Sequence, residues 1–270
     1  MRRFYAPPEL CLAARIELTG SEAHHAARVL RVQPGETVRV LDGAGHVFTC
    51  DIETVARDGV SLRIRQKTFC PRLPCQITLL QAIPKGKAMD YIVQKATELG
   101  AARIVPILSA RTVVALDGRI QAATDKADKL RPIALEAIKQ CGSPWLPRIE
   151  PVARLEEFLA RQETFDLPLV ASLAEAHHDL RGQLRSFTAK QQRMPATAGI
   201  WIGPEGDFSP EEMTLLQAHG YRPITLGRLI LRSDTAAIAS LAVLNYELQR
   251  GQPPEATGWP SRTGPGGEPA

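Results

Sequence analysis

The segment Ile202-Gly203-Pro204-Glu205-Gly206-Asp207-Phe208-Ser209-Pro210-Glu211-Glu212 sets two glycines and two loop carboxylates directly after an apolar run. Gly203 and Gly206 let the backbone approach a ligand closely, and Pro204 stiffens the turn. Ser209 as N-cap, Pro210 as first helical residue and Glu212 closing a capping box specify where the next helix starts. A strand, a glycine loop and a capped helix can cradle a phosphate. Glu205 and Asp207 oppose that, because two carboxylates repel an anion. The loop suits a neutral or cationic ligand better, and a purely structural turn is the alternative. A second transition runs from Leu226 to Ala236, with Gly227 at the bend and Arg228 and Arg232 flanking the apolar triplet Leu229-Ile230-Leu231. Ser233 or Asp234 is placed to cap a helix whose apolar positions are Ile238, Leu241 and Leu248. Alone, such a segment is more often an ordinary surface loop than a site.

Other reactive side chains carry less. His24-His25 fits a packing or RNA contact better than catalysis, and His177-His178 a solvated pair. Cys70 and Cys75 lack the second Cys/His pair that a zinc site needs, so no metal is expected.

The elements that must position these loops follow from periodicity. Residues 1 to about 72 read as mostly β: strands over 37–41, 47–55 and 60–67 at hairpin distances suggest a small barrel. One short helix interrupts them, with Ser21 as N-cap and Ala26, Val29 and Leu30 on its buried side. Arg63, Arg65 and Lys67 fall on one face of the last strand, which is either a solvated face or a phosphate-contacting one. Cys70-Pro71-Arg72-Leu73-Pro74 marks a domain boundary, since two prolines resist both helix and central strand. Beyond it, strands over 76–82, 103–108, 167–172, 198–202 and 222–226 alternate with helices. Those helices carry Met89, Ile92, Val93, Ala96 and Leu99, run over 121–140 with a kink or restart at Pro132, and close the domain over 234–249. Such alternation predicts a parallel α/β sheet over 73–250, whose ligands sit beyond the carboxyl ends of strands. From Gly251 half the residues are Gly or Pro, and that tail is expected to be disordered.

Composition narrows the class. The chain has 270 residues, 44% hydrophobic and 23% charged, with 33 Lys plus Arg against 29 Asp plus Glu. Those proportions suit a globular enzyme and permit a nucleic-acid partner without requiring one. Five cysteines in no paired pattern argue for a reducing compartment. No apolar run is long enough to span a membrane, and no signal peptide is legible behind Met1-Arg2-Arg3. A cytoplasmic location is expected.

The ordered series of motifs resembles the RsmE family of 16S ribosomal RNA uracil-N3 methyltransferases, which are SPOUT-class enzymes. The resemblance covers almost the whole chain to Arg250. It rests on Arg2-Arg3-Phe4-Tyr5, His24-His25, Val29-Leu30-Arg31, Gly35 and Asp42-Gly43. It continues through Lys85-Gly86, Lys95, Thr97-Glu98-Leu99-Gly100, Pro106, Arg111, Glu136-Ala137, Gln140 and Pro147 to the two loops above. Three positions depart from the family pattern: Asp207 where glycine is usual, Asp234 where glutamate is usual, and Ser143 where a base is frequent.

The resemblance implies a PUA-like N-terminal β-barrel, an α/β domain tied in a deep trefoil knot, and a homodimer. It implies that S-adenosylmethionine lies bent among three loops, held by Leu173, by Gly203, Pro204, Glu205 and Gly206, and by Leu226, Gly227, Ile230 and Leu231. The implied substrate is 16S ribosomal RNA, within the small ribosomal subunit, and the expected RNA contacts are Arg2, Arg3, His25, Arg28, Arg31 and Lys85. Uracil N3 is a poor nucleophile until its proton leaves, so the site needs a base or a cation that stabilises the uracil anion. Arg232 is the candidate for that cation, Asp234 for the base or its orienter, and Thr235 for a hydrogen-bonding partner. The plainer alternative is that Asp234 only caps the last helix and Arg232 grips a phosphate or a dimer partner. Two other classes compete. One is a SPOUT enzyme acting on a ribose 2′-hydroxyl or a tRNA base, from which the segment Arg232-Ser233-Asp234-Thr235 discriminates. The other is a non-catalytic RNA-binding protein, against which the intact glycines count.

Overall fold

The structure is a computed structural model that describes residues 1–56, 58–112, 129–173 and 179–249. It falls into two units, one built from Met1–Arg72 with Ile138–Leu146 and the other from Leu73–Ala137 with Pro147–Arg250. The pair His177-His178, the first half of the expected 121–140 helix and the tail from Gly251 lie outside the described residues.

In the first unit, strands β1 (Arg3–Tyr5), β2 (Arg15–Thr19), β3 (Thr37–Leu41), β4 (His46–Val55) and β5 (Gly59–Phe69) form one sheet. Their order is β1-β3-β4-β5-β2, antiparallel except for β1 beside β3. Alternation drives it: along β2, Ile16 and Leu18 turn inward and Arg15, Glu17 and Thr19 outward. Phe4, Val38, Val40, Phe48, Ile52, Val60 and Leu62 complete that core.

Two local expectations fail here. Between the pairs Thr49–Gln66 and Cys50–Ile64, Arg65 is an extra residue. A one-residue bulge reverses the alternation beyond it. Lys67 therefore stands beside Phe48, its ammonium 5.4 Å from the ring, and does not share the face of Arg63. Arg63 and Arg65 both pair with the buried carboxylate of Asp51, so their face is an internally satisfied strand surface. The short helix also departs. Helix α1 (Gly20–His24) is capped by the backbone of Thr19, not by Ser21. The next residues wind as a π-turn, in which Leu30 N–H donates to the His25 carbonyl at 2.9 Å. The wider turn slips the helical phase: Ala23 and Ala26 are buried, while Val29 is exposed.

The second unit holds β6 (Gln76–Ala82), α2 (Ala88–Glu98), β7 (Arg103–Leu108), β8 (Arg148–Ile149), β9 (Ala153–Arg154) and β10 (Leu167–Ala171). After these come β11 (Thr197–Ile202) and β12 (Arg222–Ile224). Every pairing is parallel, in the order β12-β10-β11-β6-β7-β8, with β9 also on β7. Parallel strands are covered on both faces and so read as near-continuous apolar runs; β11 is buried from Ala198 to Ile202. Trp201 fills the centre, edge-on to Phe158, Phe208 and Tyr221.

Helix α3 (Leu130–Cys141) carries Pro132 in its first turn, where a missing N–H costs no hydrogen bond. Next in chain order are α4 (Leu155–Leu159), α5 (Leu180–Gln191), α6 (Pro210–Ala218) and α7 (Ser233–Leu248). Helix α7 packs on α2, β6 and β11 through Ala237, Leu241, Leu244 and Leu248; Ile238, expected in that face, is only half-buried. Among the described residues no helix is long and apolar enough to cross a membrane.

Candidate active site

Because the strands are parallel, β6, β10, β11 and β12 end on the same side of the sheet, and the loops leaving them converge. They enclose a cavity of about 500 Å³. Every residue expected to hold the cofactor lines it: Leu173 after β10, Gly203, Pro204, Glu205 and Gly206 after β11, and Leu226, Gly227, Ile230 and Leu231 after β12. Lys85, expected as an RNA contact, lines the same cavity from the loop after β6.

Hydrogen bonds tie these loops to one another. Glu205 accepts the Lys85 N–H at 3.2 Å. Asp207 sits at φ 69°, a left-handed conformation that suits glycine and that Asp tolerates. Its carboxylate accepts from Leu173 N–H at 3.0 Å and Phe208 N–H at 2.8 Å, and its carbonyl accepts from Arg111 at 3.1 Å. The departure from glycine thus adds a clamp between the first and second loops. That clamp closes over Gly203, where a Cβ would lie 2.8 Å from the Asp207 carboxylate and 3.1 Å from its Cα. Gly227 differs: at φ 124° its imagined Cβ meets nothing within 4 Å, so any side chain there is strained and points into open space. Thr225 shapes this turn, its hydroxyl accepting from Gly227 N–H and donating to Gly227 carbonyl, both at 3.1 Å.

Helix α6 begins as expected. Ser209 Oγ accepts from Glu212 N–H at 3.2 Å, and Glu212 accepts from Ser209 N–H at 2.9 Å. The other Glu212 oxygen takes Ala110 N–H at 2.7 Å, which anchors the helix start beside the end of β7. Glu211 in this first turn is held below the usual carboxylate range by its own backbone N–H and by the Ser209 hydroxyl.

The start of α7 corrects an expectation. Neither Ser233 nor Asp234 caps it; Arg232 is the N-cap, by backbone alone. Ser233 is drawn elsewhere, its hydroxyl donating to the Gly203 carbonyl at 2.7 Å and accepting from Gln81 Nε2 at 3.0 Å. A buried carbonyl and a buried amide compete for that hydroxyl more strongly than a solvated helix end does. Gln81 was not anticipated as a site residue. The signal is a glutamine next to the carboxyl end of a mostly apolar, buried strand.

Arg232, with its side chain 86% exposed, reaches to within 4.0 Å of Asp234. Asp234 accepts from Thr235 N–H at 2.8 Å and from the Thr235 hydroxyl at 3.4 Å. Arg232 and Asp234 line the cavity, whereas Thr235 is not among its lining residues. The other RNA candidates lie in the first unit. Arg2 pairs with Glu36 at 2.6 Å, and Arg3 donates to the carbonyls of Lys139 at 3.2 Å and Gln140 at 2.9 Å. Arg28 and Arg31 are exposed and His25 is half-buried.

The lining mixes charges of both signs with apolar side chains left uncovered: Leu229 is 79% exposed and Ile230 81%. Clustered exposed aliphatics of this kind mark a binding surface. The cavity therefore suits a ligand with an apolar face and little net charge, held by backbone groups.

Comparison with known proteins agrees with this geometry. Residues 71–245 match the family model described as an RNA methyltransferase domain, and residues 18–65 that of an RNA methyltransferase PUA domain. The ribosomal RNA small subunit methyltransferase E of Bacillus subtilis is 32% identical over 88% of this chain and 93% of its own. A Legionella pneumophila protein solved with S-adenosylmethionine is 33% identical, with TM-score 0.77 over 91% of this chain and 97% of its own. The corresponding methyltransferase E of Neisseria gonorrhoeae, also solved with S-adenosylmethionine, is 28% identical, with TM-score 0.77 over 92% and 98%. A catalytic sheet matched over most of the chain, a PUA-like unit before it and glycine loops gathered on one cavity lead to one assignment: the chain belongs to the ribosomal RNA small subunit methyltransferase E family.

Proposed function

We propose that this protein transfers a methyl group from S-adenosylmethionine to N3 of a uridine in the RNA of the small ribosomal subunit. Methylation of ribosomal RNA with that donor follows from the family; the nitrogen acceptor and its setting are our reading. The observation that carries it is the convergence of four loops on one cavity with Arg232 and Asp234 at its edge. When bound, the cofactor supplies an already activated methyl group, which leaves the protein to align and activate the acceptor.

The residues present fit that cofactor. Gly227 leaves its side of the cavity clear, Leu229 and Ile230 offer an apolar surface for a purine, and Glu205 and Asp207 favour a cationic centre over a phosphate. Arg232 is long and exposed enough to hydrogen-bond a uracil carbonyl oxygen and hold the charge that develops as N3 loses its proton. Asp234, held by Thr235, takes or directs that proton. The exposed Arg28 and Arg31 meet RNA phosphates.

The reading further includes a trefoil knot in the second unit. What supports the knot is that the chain goes from edge strand β12 to α7, which packs on β6 and β11 in the middle of the sheet. It also includes a homodimer, for which Val243 and Tyr246 offer an exposed apolar face on α7, and a cytoplasmic location. The test is incubation with small ribosomal subunits and labelled S-adenosylmethionine, followed by nucleoside digestion. Label in N3-methyluridine is expected. Label in a 2′-O-methylated nucleoside or another base refutes the proposed acceptor.

A further inference from the structure

We propose that the first unit carries a stacking platform for unpaired RNA bases, centred on Phe69 with Trp145 and Arg72 beside it; this rests on the RNA reading above and locates part of it. Aromatic residues make up 5% of the chain, yet Phe69 is 55% exposed at the end of β5. Its ring stands 6.1 Å from Trp145 at 83°, and 5.3 Å from His46.

The rings are held in place. Trp145 Nε1 donates to the Cys70 carbonyl at 3.0 Å. Gly45, at φ 100°, lies so close beneath them that a Cβ there would sit 2.9 Å from the Phe69 ring. His46 is fixed by the buried Asp42 at 2.7 Å. Preorganised rings lose little entropy when a ligand stacks on them. The Arg72 guanidinium lies 3.8 Å from the Trp145 ring, and Lys67, two residues before Phe69, is on the same face of the strand. An exposed ring bordered by cations matches the chemistry of a single strand, whose bases stack while its phosphates meet charge.

The test uses the full chain, a fluorescent single-stranded uridine oligonucleotide and a small-subunit RNA fragment, with anisotropy measured over a salt series. Phe69→Ala should weaken binding about tenfold while leaving the slope of affinity against salt unchanged, because stacking releases no counterions. Phe69→Trp should restore affinity and Phe69→Leu should not. Equal affinity of Phe69→Ala and wild type overturns the platform, as does full rescue by leucine. A change in oligomeric state with RNA affinity intact makes the surface a protein interface and also overturns it. Methyl transfer by the wild type is read separately, so failure of the proposed reaction is distinguishable from failure of the platform.

Discussion

Replacing Ser233 with alanine probes the joint between the second loop and α7. The hydroxyl is buried, with Ser233 8% exposed, and it bridges the Gly203 carbonyl and Gln81 Nε2 at 2.7 and 3.0 Å. Ser233→Ala leaves the carbonyl unpaired, whereas Gln81 keeps its bond to the Ala82 carbonyl at 2.8 Å. The cost is that of one orphaned buried acceptor and part of a donor, about 2 kcal/mol. For a chain of this size that lowers the melting temperature by about 5 °C. Where about 1 kcal/mol of it falls on the binding-competent form of the loop, affinity for S-adenosylmethionine drops roughly fivefold. Calorimetry measures both quantities. The double variant Gln81→Leu/Ser233→Ala should cost less than the sum of its singles, since the groups share one bond. Strict additivity with unchanged cofactor affinity refutes the bridge.

Gly227→Val, strained at φ 124° and projecting into open space, should abolish cofactor binding while circular dichroism stays native; unaltered calorimetric affinity would remove this loop from the site. Arg232→Ala should lower kcat by about a hundredfold with cofactor affinity kept, and a full-rate variant would discard Arg232 as the anion stabiliser. Asp166 is held below the usual carboxylate range, chiefly by the Arg193 guanidinium. Its contribution to stability is thus present above about pH 4 and lost as pH falls through the depressed native value. Denaturation midpoints of wild type and Asp166→Asn should converge in that acid window, and a constant gap would contradict the linkage. Burial pushes the thiols of Cys50 and Cys75 up to about 12 and Cys11 to about 11. Of the five cysteines, only the exposed Cys141 should react quickly with a thiol reagent at neutral pH, and two fast thiols would show that the core is more open than this.

The parallel strands were legible because burial on both faces makes them mostly apolar: β6 spans Gln76–Ala82 with Thr78 and Gln81 as its interior polar residues, and β7 spans Arg103–Leu108, the ranges that the sequence pattern predicts. The start of α6 was legible for another local reason, since a capping box closes within four residues. The loops of the site could be named from their glycines and from resemblance to a family. What they do to one another could not. The slip in β5 depends on which residues of β4 it meets, and a bulge at Arg65 carries no local mark strong enough to place it. The π-turn after α1 answers to the packing of Ala23 and Ala26, not to a cap at Ser21. Residues 138–146 joined the first unit although they follow elements of the second, because Trp145 packs on Gly45 and Phe69. At the site, Ser233 abandoned the helix end for a carbonyl 30 residues away and an amide 152 residues away. Local sequence sets propensities and caps over a few residues. Competition between buried donors and acceptors is decided only when the folded chain brings them within hydrogen-bonding distance.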